Sequence, residues 1–174
     1  MKWKIKPEYV ILFLVFLFVL GFRLYFAFNN DNFNTDSAYF QLRHINSLVE
    51  DKEPLLYDSL SYGGRTVLYP PLFHVLMALF SFGSIFILKF IPELAISLTV
   101  FVVYAIAKDI SGSSYAAIFS SLLASFFPIL FSETLNNLSV YTFVIPLLLL
   151  MIYSLFRLDN KMYLWLFVLC SFIL

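Results

Sequence analysis

The chain reads as an all-α, polytopic helical membrane protein, and three observations predict that class. Of its 174 residues 61% are hydrophobic and only 13% are charged, a balance that soluble domains do not show. Several apolar runs approach the roughly 20 residues needed to cross a hydrocarbon core of about 30 Å. In lipid every backbone group must be satisfied internally, and the runs lack the short alternating pattern of a barrel, so they are helices. Polarity is gathered in one place. Asp31, Asp36, Glu50, Asp51, Glu53 and Asp58, six of the eleven acidic residues, lie between Asn29 and Tyr69.

The first span is predicted over Tyr9–Phe28. The basic start, Met1-Lys2-Trp3-Lys4-Ile5-Lys6, looks like the head of a signal peptide. Its apolar run continues past Arg23 to Phe28 with no small-x-small cleavage site, which favours a retained anchor. A long loop, 29–90, follows. Further spans are expected at Ile91–Ala107, Ser114–Phe131 and Leu138–Phe156, with a fifth, incomplete one over 162–174. Because Leu174 falls inside that apolar run, residues 1–174 read as the N-terminal part of something longer. Pro71–Phe82 is too short to span and suits a re-entrant or interfacial helix. That arrangement puts Lys2, Lys4, Lys6, Lys108, Arg157 and Lys161 on one face, so the positive-inside rule makes the N-terminus cytoplasmic. Loop 29–90 and the short loop Ser132–Asn137 are then extracytoplasmic, and the protein belongs in the cell membrane.

Inside the long loop, Thr35 to Glu50 has helical spacing. Ala38, Leu42, Ile45 and Val49 form an apolar stripe suited to the membrane surface, and Asp36, Phe40, Arg43 and Ser47 share another face. Thr35 or Asp36 is the natural N-cap. Asp36 therefore has two readings: a cap, or a carboxylate at the membrane surface able to take a proton or hold a divalent cation. The charge run Glu50-Asp51-Lys52-Glu53 is an ordinary solvated helix end. Next come Tyr57-Asp58-Ser59 and Tyr62-Gly63-Gly64-Arg65. The paired glycines permit positive φ and close approach to a ligand, and the Arg65 fork suits a phosphate; a plain tight turn explains the same residues. Tyr69-Pro70-Pro71 opens the short helix, since proline is tolerated in a first turn. His74, one turn in, is either a packing residue or a ligand contact.

Within the spans, Arg23 either snorkels to the headgroups or faces inward to a structural or substrate contact. Lys89 and Glu93, four apart, suggest an ion pair at the rim. Asn137-Leu138-Ser139 fits the glycosylation pattern but opens a span and reads as chance. Glu133 is the carboxylate of the second outer loop.

Other classes find no support. Net charge is zero, so no basic field argues for nucleic acid. The lone Cys170 sits in an apolar run and reads as inert. No Walker loop, CxxC pair, HExxH helix or Ser-His-Asp order occurs. Transporters place polar groups at mid-membrane around broken helices, whereas here polarity is concentrated in a loop. A non-catalytic multi-pass scaffold, or a degenerate or truncated relative of an enzyme, is the competing class.

From about Arg23 to Arg157 the layout resembles the N-terminal part of the GT-C superfamily of membrane glycosyltransferases. Asp36-Ser37-Ala38-Tyr39-Phe40-Gln41-Leu42-Arg43 is similar to the D-x-[aromatic]-[aromatic]-x-x-R passage of oligosaccharyltransferase catalytic subunits. Tyr62-Gly63-Gly64-Arg65 through Tyr69-Pro70-Pro71 is similar to their G-R…Y-P passage. Protein mannosyltransferases and lipid A aminoarabinose transferases share the layout more loosely. The resemblance implies transfer of a sugar from a polyprenyl-phosphate or -pyrophosphate donor to a protein, lipid or glycan on the extracytoplasmic side. It implies Asp36 as the catalytic carboxylate, and Arg43, Arg65, Tyr69 and His74 as substrate contacts. It further implies a divalent cation (Mg or Mn) at Asp36 and Glu133. Its partners would be a lipid-linked sugar donor, membrane lipids, and the missing C-terminal part or a partner subunit. Where oligosaccharyltransferases carry two acids in a D-x-E-like pattern, this chain has Glu133 followed by Asn136-Asn137.

Overall fold

The computed structural model describes residues 6–60, 63–67 and 71–174. Nine helical segments and one two-stranded hairpin occur among them: α1 (Pro7–Phe28), α2 (Asp36–Glu50), β1 (Tyr57–Asp58), β2 (Arg65–Thr66), α3 (Leu72–Ser81), α4 (Ile85–Ser97), α5 (Thr99–Ser111), α6 (Ser114–Ser125), α7 (Pro128–Thr134), α8 (Tyr141–Leu155) and α9 (Lys161–Ile173).

Two helices are long and apolar enough to cross a membrane. One is α1, with 22 residues; the other is the nearly continuous α4–α5 pair, with 27 residues over Ile85–Ser111. At 1.5 Å per residue they measure roughly 33 and 40 Å. The distribution of side chains along α1 suits a helix that faces lipid. Phe13, Leu14 and Phe18 are more than half exposed, while Arg23 is 2% exposed, the reverse of a soluble protein. The buried stripe Leu12, Phe16, Val19 meets Val100 and Tyr104 of α5 and Ala117 of α6. Small side chains at the contacts, Ala117, Ser121, Ser97 and Thr142 among them, are buried and let the helices approach closely.

Three boundaries differ from expectation. The helix after the long loop begins at Ile85 rather than Ile91, and it breaks at Leu98. The expected span Ser114–Phe131 is two helices bent by 48°. Pro128 causes this, because proline disfavours the helical region in the residue before it, and Phe127 is extended (φ −62°, ψ 122°). The helices α8 and α9 hold 15 and 13 residues, short of a straight crossing.

The stripe of α2 does not lie against the bilayer. Ala38 and Ile45 are fully buried against Phe73 and Met77 of α3, Leu88 of α4 and Leu138, with Leu42 and Val49 packed alongside. A partner helix removes more apolar area from water than a headgroup layer would, so α2 and α3 form one layer over the loop end of the bundle. At the opposite end Lys108 pairs with Glu8 at 3.0 Å, and Arg157 grips Asp109 with two guanidinium nitrogens.

Candidate functional site at the loop end

Asp36 starts α2 but does not cap it. Thr35 is the N-cap: its hydroxyl accepts the Ala38 amide at 3.3 Å and donates to Asn137 Oδ1 at 2.7 Å. The Asp36 side chain is exposed and makes no hydrogen bond among the described residues. Its place in the first turn still sets it in the positive field of the helix end.

The second loop comes to meet this helix start. Asn137 donates from Nδ2 to the Glu133 carbonyl at 2.9 Å while holding Thr35 with Oδ1. Asn34 donates its amide to the Asn136 carbonyl at 3.0 Å and its side-chain Nδ2 to the Leu135 carbonyl at 3.1 Å. Asn136 answers through Nδ2, to the Asn32 carbonyl at 2.8 Å and to Asn34 Oδ1 at 3.0 Å. It does so from the left-handed region, φ 47°, which asparagine enters more readily than most residues. Asp36, at the start of α2, and the exposed Glu133, near the end of α7, thus flank two loops clasped by asparagines and one threonine. Neither the clasp nor its members are legible as function in the sequence. The signal available was two amide pairs, Asn29-Asn30 with Asn32 and Asn34 on one side and Asn136-Asn137 on the other, in a chain otherwise poor in amides.

The predicted phosphate-side residues fall in one neighbourhood. Arg43 donates from Nη2 to Asp58 Oδ2, and Asp58 Oδ1 accepts the Leu60 amide at 3.0 Å. In the antiparallel pair β1–β2, Asp58 stands opposite Arg65, and residues directly opposite share a face of the sheet. Burial alone would raise the Asp58 carboxyl, but the Arg43 hydrogen bond and charge and the Leu60 amide hold it below the usual carboxylate range. The turn between the strands needs its glycines, at φ 80° for Gly63 and 101° for Gly64. The close approach they permit is to the Tyr57 hydroxyl, which a Cβ on Gly64 would meet at 2.2 Å.

His74 is buried and donates from Nε2 to Gln41 Oε1, so it ties α3 to α2. Its ring lies 5.5 Å from that of His44, which is itself buried edge-on against Phe40 at 4.4 Å. Burial pushes the His44 imidazole below its ordinary value, with the Asp58 charge opposing and the Arg43 charge adding. Tyr69 lies outside the described residues, as do Tyr62 and Pro70.

Two expectations for intramembrane charge are settled. The Lys89–Glu93 rim pair does not form. Glu93 bonds Arg23 at 2.7 Å, and Lys89 donates to the Ala27 carbonyl at 2.9 Å and to the Asn30 carbonyl, closing the C-terminal end of α1. The unsatisfied carbonyls at a helix end accept a Lys ammonium readily, and Glu93 is already held by Arg23. Arg23 faces inward and does not snorkel.

An apolar pocket of about 150 Å³ opens between α3, α8 and α9. Leu72, Phe73 and Leu76 line one side, and Phe143, Val144 and Leu147 the other. No group of three or more His, Cys, Asp or Glu gathers among the described residues. A divalent ion here would rest on Asp36 and Glu133 and take its other ligands from water or a phosphate, the usual habit of Mg²⁺. Comparison of the chain with models of known protein families, with curated proteins and with solved structures finds no match.

Proposed function

We propose that the protein is a multi-pass membrane glycosyltransferase of the GT-C kind, which moves a sugar from a polyprenyl-phosphate or -pyrophosphate donor to an acceptor. The observation that carries the reading is that Thr35 takes the capping role. Asp36 is thereby released from capping and left exposed at the start of α2, where Asn137 ties Thr35 to the backbone of Glu133. Five membrane crossings, with the bilayer thinned locally at the short α8 and α9, and a cytoplasmic N-terminus belong to the same proposal. Its topological support is the gathering of Lys6, Lys108, Arg157 and Lys161 away from the loop end.

The chemistry is displacement at the sugar's anomeric carbon. An acceptor hydroxyl or amide attacks that carbon, the bond from carbon to the phosphate oxygen breaks, and the lipid phosphate leaves with the bonding electrons. Asp36 orients the acceptor and takes its proton. Arg65 faces the departing charge, with Arg43 behind it through Asp58. His74 holds α3 in place beneath. The lipid tail lies against the apolar pocket and the phenylalanine-rich helices. Were a divalent ion to bind, Asp36 and Glu133 would hold it in place of Asp36 acting as base, and it would supply positive charge for the phosphate.

A non-catalytic scaffold is favoured by one observation: the Arg43 guanidinium is already paired with Asp58. Titration of the purified, detergent-solubilised protein with a labelled polyprenyl-phosphate sugar separates the two. The glycosyltransferase reading expects saturable binding weakened by Arg65→Ala; a scaffold shows partition into the micelle without saturation.

A further inference from the structure

The charged pair buried between α1 and α4 has its free ends on a loop. Arg23 and Glu93 are 2% and 1% exposed and meet at 2.7 Å. The second guanidinium nitrogen, Nη2, donates to Thr134 Oγ1 at 2.8 Å, and the second carboxylate oxygen, Oε1, accepts the Asn136 amide at 2.7 Å. Thr134 ends α7, and Asn136 lies two residues beyond it. Asn136 is the residue that reaches Asn32 and Asn34, and Asn34 adjoins the Thr35 cap of α2. A continuous run of hydrogen bonds therefore leads from the membrane interior to the backbone that carries Asp36 and Glu133.

A buried ion pair is a poor way to hold two helices together, because apolar side chains of similar volume do so as well or better. What apolar side chains cannot do is offer an acceptor to a loop amide in a place without water. We propose that Arg23 and Glu93 are a positioning pair: they form the seat that fixes the spacing of the two loops, and with it the separation of Asp36 from Glu133. The catalytic consequence rests on the glycosyl-transfer reading; the spacing does not.

The test uses the whole protein in lipid nanodiscs, with Cys170→Ser as background and spin labels on Ser37→Cys and Ser132→Cys. The parent should give one narrow inter-label distance. The double variant Arg23→Met with Glu93→Met keeps the volume and removes the seat. It should remain folded by thermal unfolding, give a broader and longer distance, and lose about 10²-fold in kcat for sugar transfer, the effect of roughly 1 Å of misplacement, with KM for the donor unchanged. If the double variant does not fold, Glu93→Gln, which keeps the shape but strips Arg23 of its counter-charge, is measured in the same way. An unchanged narrow distance overturns the proposal. A widened distance with undiminished transfer overturns the catalytic half. A parent that transfers no sugar removes the glycosyl-transfer reading, while the distance still decides the seat.

Discussion

Replacing Thr35 by Val removes the hydroxyl that holds the start of α2 and keeps the shape. The cap bond to Ala38 is long, 3.3 Å, and belongs at the lower end of measured cap values, about 0.5–1 kcal/mol. The bond to Asn137 is short, 2.7 Å, and Asn137 is 4% exposed. Its Oδ1 would be stranded away from water, at about 1–3 kcal/mol. Together these come to about 1.5–4 kcal/mol, or roughly tenfold to several hundredfold in the local opening constant. Hydrogen exchange of the first-turn amides of α2, read site by site in nanodiscs, measures that constant. Thr35→Ser, which keeps the hydroxyl, should stay near the parent. Asp36→Ala should lose only the helix-dipole contribution of about 0.3–1 kcal/mol. If Asp36→Ala opens α2 more than Thr35→Val does, Asp36 is the cap after all and is not free for chemistry.

Three further outcomes follow from the same layer. Ile45→Ala should destabilise the α2–α3 contact by about 2–5 kcal/mol, the range for emptying a fully buried site; exchange throughout both helices would report it, and a change confined to α2 would contradict the packing. Gly64→Ala should disorder the β1–β2 turn, since it combines positive φ with a clash on the Tyr57 hydroxyl, and Tyr57→Phe should relieve only the clash; proteolysis between Tyr57 and Thr66 reads both. The lowered His44 value makes the unfolded loop bind the extra proton, so His44 contributes stability that is complete above about pH 6.5 and is lost as pH falls through the folded value. Asp58, also lowered, keeps its contribution until pH falls below about 4 and loses it through its own folded value. Exchange protection of α2, corrected for intrinsic rates, should therefore fall on acidification below about pH 6.5, and His44→Leu should leave only the loss that belongs to Asp58.

Composition and periodicity were enough for the mostly helical fold, a first helix long and apolar enough to cross a membrane, the loop helix and the short helix after Pro71, because each rests on local spacing. What they could not reach was pairing across distance. Lys89 and Glu93 sit four apart and look like partners, yet Arg23, 70 positions away, takes the carboxylate, since a buried guanidinium needs a counter-charge and Lys89 turns to the end of α1. Asp36 and Thr35 are equivalent capping candidates by type; Asn137, 102 positions from Thr35, decides between them by holding the threonine hydroxyl. The apolar stripe of α2 was visible, but whether it faces lipid or a neighbour depends on α3 folding back over it. The bend at Pro128 was legible in principle, since proline and the extended residue before it mark a break inside an apolar run.

On the glycosyl-transfer proposal, Asp36 serves sugar transfer. The most direct measurement is the initial rate of transfer from a labelled polyprenyl-phosphate sugar by the whole protein in proteoliposomes, beside Asp36→Asn shown to be folded by the same exchange pattern. A loss of about 10²–10⁴-fold, the reach of a positioned proton acceptor, is the predicted result. Transfer by Asp36→Asn at the parent's rate would contradict it.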